Sequence, residues 1–187
     1  MSELSIEFNK DYTIQWWERL LDDEDAMNKW LSKLWNTEKN GFFGGLRSAR
    51  KFTEEGSDLR ATFCKIAKEE WRHSQVLHRI LKARGITPVA EEQENSKYWP
   101  HVMKGVKDLQ SVAAASAIGE LLAAKRFEVI QQHPRTPKDI LVFINQALPE
   151  EQGHFDSYAA IAGEAAMQSA LQRHKEAIAI ISGQAPK

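Results

Sequence analysis

Two Glu-x-x-His tetrads, Glu70-Trp71-Arg72-His73 and Glu151-Gln152-Gly153-His154, stand 81 positions apart in a chain of 187 residues. On a helix, residues three apart share a face, so each tetrad aims a carboxylate and an imidazole at one point. Each also follows a solitary glutamate at a matched distance: Glu38 precedes Glu70 by 32 positions, and Glu120 precedes Glu151 by 31. Carboxylates and imidazoles in this proportion suit a divalent transition metal, and a ligand set that occurs twice suits two of them.

Such a centre needs helices that bring the six side chains to one core, and the pattern of apolar residues supplies them. Apolar positions recur at helical spacing through most of the chain, and no stretch alternates for long enough to argue a strand, so the class is all-α. A short amphipathic segment at about Tyr12–Leu21 comes first. The first long helix is expected from about Asp25 to Phe52, and a second, capped by Ser57 or Asp58, runs to Arg84 and stops at Gly85 and Pro88. A third covers about Asp108–Gln132, a fourth begins near Lys138, and a further amphipathic segment after Gly163 is expected to pack outside. The connection from Ile86 to Lys107, with AEEQENSKYWP at its centre, is too long for a hairpin and reads as a crossover between two helix pairs. One domain spans residues 1–187, with a four-helix core at about 25–163.

Each candidate ligand interrupts an otherwise apolar stripe. Glu38 falls between Leu34 and Phe42, while Glu70 and His73 fall between Ile66 and Leu77, on a stripe that starts at Leu59. Glu120 falls between Ser116 and Ala124, and Glu151 and His154 fall between Ala147 and Tyr158. Four glutamates thus point into a core, where clustered carboxylates repel one another and resist ionising unless cations neutralise them. Two divalent ions match four negative charges. Glu69 and Glu150 lie one step off the stripe and are expected to be exposed; Glu128 could approach the same core but is expected to pair with Lys125 or Arg126, and Glu24, a rival to Glu38, breaks the repeat.

Several neighbours bear on the site. Gly41 and Gly45 follow Glu38 by one and two turns, Gly119 precedes Glu120, and Gly153 lies inside the second tetrad. Glycine inside a helix costs about 1 kcal/mol relative to alanine, so each implies either room for dioxygen or substrate or close helix packing. Gly41, Phe42 and Gly45 are the access candidates. Pro149 removes a backbone donor two residues before Glu151. Tyr158, one turn past His154, could orient a ligand or simply pack. Trp16, Trp17, Trp30 and Trp35 read as core anchors or a cover over an entrance, Cys64 as a small core residue, and His78, His101, His133 and His174 as solvated.

Composition narrows the function classes. Lys and Arg number 25 against 26 Asp and Glu, so net charge offers no pull on a polyanion. A single cysteine excludes a disulfide framework and a four-cysteine metal module. Neither a bilayer-spanning run nor a signal-peptide pattern is evident, and a cytoplasmic, membrane-free protein is expected.

With these residues in hand, the chain resembles the ferritin-like di-iron carboxylate superfamily over about residues 30–165. KEEWRHSQVL, GELLAAKRFE and EEQGHFDSYAAIA look most like helices of the tRNA 2-methylthio-N6-isopentenyladenosine hydroxylase family, with rubrerythrin second by ligand spacing. The resemblance implies two iron ions, Glu38, Glu70 and His73 on one and Glu120, Glu151 and His154 on the other, with no catalytic residue beyond these ligands. It also implies dioxygen as co-substrate and hydroxylation of an organic substrate that could be carried on tRNA; an oxygenase of this kind is expected as a monomer or homodimer. Rubredoxin-type cysteines are absent, so the electron donor must act in trans. Manganese or zinc would also suit the donors. The alternative expectation is an iron-handling or peroxide-removing protein of ferritin or rubrerythrin type, with no organic substrate.

Overall fold

The structure, a computed structural model, describes residues 8–88 and 98–181. They form seven helices and no strand: α1 (Lys10–Leu21), α2 (Glu24–Phe52), α3 (Asp58–Ala83), α4 (Tyr98–Met103), α5 (Leu109–Gln132), α6 (Lys138–Ala162) and α7 (Glu164–Ile181). Short links join α2 to α3 and α5 to α6, and a long one joins α3 to α5, the helix order of a ferritin-like bundle.

Local signals set the helix ends. Asn9, Asp23 and Ser57 cap α1, α2 and α3 by accepting from the amides of Tyr12, Ala26 and Arg60. Asp108 and Ser111 bond each other's backbone amides at the start of α5. Gly85 after α3 and Gly163 after α6 take φ of 75° and 74°, the left-handed conformation that ends a helix and that a side chain would strain.

The chain divides into two compact units. The first takes in Asn9–Glu91 and Ala124–Glu150, and the second Met1–Phe8, Glu92–Ala123 and Glu151–Lys187. In the first unit Trp17 is fully buried, edge-on to Trp30 with centroids 5.1 Å apart. Its indole N–H donates to Thr136 Oγ1 at 3.1 Å, tying α1 to the link between α5 and α6. Leu31, Trp35, Leu77, Phe127, Ile140 and Phe143 complete this core, so the amino-terminal tryptophans build the interior. Leu59, expected on the buried stripe of α3, is 40% exposed because it occupies the first turn, beside the solvent-facing Asp58.

The second unit departs further from expectation. Part of the crossover is helical: α4 buries Val102 against Ala115 of α5 and Ala177 of α7. Residues 89–97 of that connection lie outside the described residues. On α7, Met167, Ala170, Leu171, His174 and Ala177 form one buried stripe, and His174, expected to be solvated, is 1% exposed. His101 and His133 are half-buried, with Nε2 3.1 Å and 3.8 Å from carboxylate oxygens of Glu176 and Glu18, while His78 is exposed. Cys64 is also only half-buried.

The bonds around His174 define its state. Nε2 lies 3.1 Å from the Ala115 carbonyl, which can only accept, so Nε2 carries the proton and Nδ1 accepts from Tyr98 Oη at 2.6 Å. Burial, only partly opposed by the Ala115 bond, pushes the imidazole down to about 4. A group held neutral in the fold contributes its stability above the unfolded pKa and loses it as protons bind the unfolded chain. Unfolding free energy should therefore fall as pH drops from 6.5 toward 4, by a total of about 3 kcal/mol from this group. Urea titrations across that window should show a shallower decline in His174→Gln than in the wild type.

Candidate metal centre

Each unit gathers one complete triad. In the first, Glu38 of α2 and Glu70 and His73 of α3 are 5%, 7% and 0% exposed, and one donor atom from each lies within 4.8 Å of the others. In the second, Glu120 of α5 and Glu151 and His154 of α6 meet the same limit, Glu151 and His154 at 2% exposure and Glu120 half-buried. The helix period does this locally: the i,i+3 step leaves His73 Nδ1 3.9 Å from Glu70 Oε1 and His154 Nδ1 4.0 Å from Glu151 Oε2.

The first triad shows how an imidazole is aimed. His73 Nε2 lies 2.7 Å from Glu150 Oε2, and Arg72 Nη2 lies 2.5 Å from Glu150 Oε1. A carboxylate held by a guanidinium accepts, so Nε2 donates and the Nδ1 lone pair faces the interior, 3.2 Å from Glu38 Oε2. A lone pair and a carboxylate oxygen at that separation repel unless a proton or a cation lies between them. A cation also relieves the crowding of Glu38 and Glu70, so the donor set fits a divalent metal with Nδ1 as its nitrogen ligand.

Glu150 is the functional residue that sequence reasoning missed. Its position one step off the apolar stripe predicts exposure, yet its side chain is only 25% exposed and bonded on both oxygens. Burial pushes its carboxyl up, but the bonds from Arg72 and His73 together outweigh burial and hold it below the usual range. Arg72 is held above its ordinary value chiefly by the Glu150 bond. Adjacency to Glu151 is the signal that could have found Glu150: the residue before a ligand on a helix can reach a neighbouring helix's ligand. Glu69, likewise expected to be exposed, is half-buried.

Immediate neighbours account for the access candidates. A Cβ on Gly41 would stand 2.6 Å from Glu70 Oε2, so the missing side chain makes room for the carboxylate itself. A Cβ on Gly45 would meet that of Ala67 at 3.0 Å, which marks close packing of α2 on α3. Phe42 is half-buried against Phe43 and Trp71, which are 42% and 40% exposed. Tyr158 is buried in the second unit, one turn past His154. Pro149 lies on the exposed side of a continuous α6, as does Asn145, where water can satisfy the carbonyl that lacks its amide. A groove of about 250 Å³ opens between α2 and α3, lined by Trp35, Lys39, Trp71, Ser74, Gln75 and His78.

Two substitutions test this construction. Gly41→Ala should displace the Glu70 carboxylate and weaken metal binding while the helices persist in circular dichroism. Glu150→Gln keeps the shape but loses the charge that fixes His73, and metal affinity measured by competition with a chelator should drop about 10- to 100-fold.

A protein-family model described as Rubrerythrin matches residues 46–162, more than half of the chain. The match takes in Glu70, His73, Glu120, Glu151 and His154 and starts after Glu38. No curated protein and no solved structure matches. Among the described residues no helix is long and apolar enough to cross a membrane. Thus the family shown is the one that the sequence resembles second, and the chain belongs to the rubrerythrin family within the ferritin-like di-iron superfamily.

Proposed function

We propose that Glu38, Glu70 and His73 would hold one iron and Glu120, Glu151 and His154 a second, and that the protein is a di-iron oxidase that activates dioxygen to hydroxylate an organic substrate. The observation that carries the reading is a Glu/Glu/His triad in each unit, buried except for the half-buried Glu120, in a chain of this family. Ferrous iron, when bound, supplies the electrons that reduce dioxygen.

The chain's own residues supply the rest. Four carboxylates balance the charge of two divalent ions. His73 presents a neutral Nδ1 because Glu150 keeps the proton on Nε2. Burial of Glu38, Glu70, Glu151 and His154 keeps bulk water from the donors and strengthens every charge interaction among them. The hydroxylase assignment rests on the resemblance of KEEWRHSQVL, GELLAAKRFE and EEQGHFDSYAAIA to the tRNA-modifying enzymes, and reducing equivalents come from a donor protein in trans. The rubrerythrin match favours a second reading, in which the same centre oxidises ferrous iron or removes peroxide without an organic substrate.

Anaerobic ferrous loading, exposure to air, desalting and elemental analysis separate the readings. About two irons retained per chain are expected for the oxidase. Many irons per chain would establish iron handling, and none would remove the metal altogether. Glu70→Ala and Glu151→Ala should each abolish dioxygen consumption with the fold intact. Full consumption in either variant would overturn the ligand assignment.

A further inference from the structure

His174 is a buried titratable group that the metal chemistry does not use. It closes an aromatic cluster in the second unit, with ring centroids 5.4 Å apart for Tyr98–Trp99, 5.5 Å for Tyr98–His174 and 6.0 Å for Trp99–His174. The Tyr98 phenol donates to Nδ1 at 2.6 Å, and the Ala115 carbonyl holds the opposite edge of the ring at 3.1 Å. Trp99 lies flush on α5 at Gly119, where a Cβ would stand 3.0 Å from its Cη2, and the next residue is Glu120 of the second triad. A phenol with a fixed proton acceptor, joined by an indole to the helix that carries a metal ligand, is arranged for electron transfer.

We propose that Tyr98 is a redox-active tyrosine that yields one electron through Trp99 while its phenolic proton moves to His174. The inference rests on the di-iron reading for its natural oxidant, the oxygen-exposed metal centre beside Glu120. The step balances. Tyr98 loses one electron to that oxidant and one proton to Nδ1, becoming a neutral phenoxyl, and His174 becomes an imidazolium that still donates from Nε2 to Ala115. One electron from the donor in trans restores the phenolate oxygen, and the proton returns along the same bond. One-electron oxidation turns a phenol into a strong acid, so even the weakly basic His174 accepts the proton, and that weak basicity drives its return. Such a residue drains an oxidising equivalent when no substrate is present to take it.

The test uses the full chain loaded with zinc, which has no redox chemistry. A Tyr12→Phe background removes the phenol that is 60% exposed. Flash-generated tris(bipyridine)ruthenium(III) serves as the oxidant, and electron paramagnetic resonance is the readout. A tyrosyl signal is expected that disappears in Tyr98→Phe. In His174→Phe its yield should fall about tenfold, the cost of an unmade hydrogen bond. His174→Gln, which restores an acceptor, should recover part of it, and formation should slow in deuterated water only while His174 is present. An undiminished signal in Tyr98→Phe, or equal yields in His174→Phe and the wild type, would overturn the proposal. Since zinc replaces iron throughout, that failure would leave the di-iron reading standing, and failure of iron loading would leave the tyrosine result standing.

Discussion

The mutual repulsion of buried carboxylates is the constraint on which the rest of this structure depends. Glu38 and Glu70 share a space with His73, and Glu151 shares one with His154 and the half-buried Glu120. Desolvated like charges at such separations cost several kcal/mol each, roughly, unless cations neutralise them. The stability of the helices that carry them is therefore linked to what binds between those side chains.

That constraint accounts for the residues around the triads. Gly41 gives up helix propensity so that the Glu70 carboxylate can stand against α2. Glu150 gives up exposure, and Arg72 commits a charge, to hold one proton on one edge of His73. Both make sense as devices for presenting a nitrogen lone pair and a carboxylate oxygen in fixed directions.

Much of this was legible in the sequence because the helical period is a strong signal and the ligand spacing repeats. The long helices, the cap at Ser57 and the breaks at Gly85 and Gly163 follow from local chemistry that a short stretch of sequence carries. What stayed hidden depends on contacts between distant segments. The helix at Tyr98–Met103 is too short to show a period and gains its burial from Ala115 and Ala177. His174 looks solvated until α7 is laid on α5, and Glu150 looks exposed until Arg72 and His73 approach from α3. The glycines near Glu38 fitted two roles until their neighbours were known.

The chain from Arg72 through Glu150 to His73 reaches from solvent to a wholly buried imidazole. Arg72 is about half-exposed, the kind of position that a protein engineer exchanges freely and that drifts easily among relatives. Here its guanidinium is two hydrogen bonds from the ring of His73. Exposure is thus a poor guide to replaceability in this protein, and a surface library that spares only buried residues would disturb the interior through a side chain that never enters it.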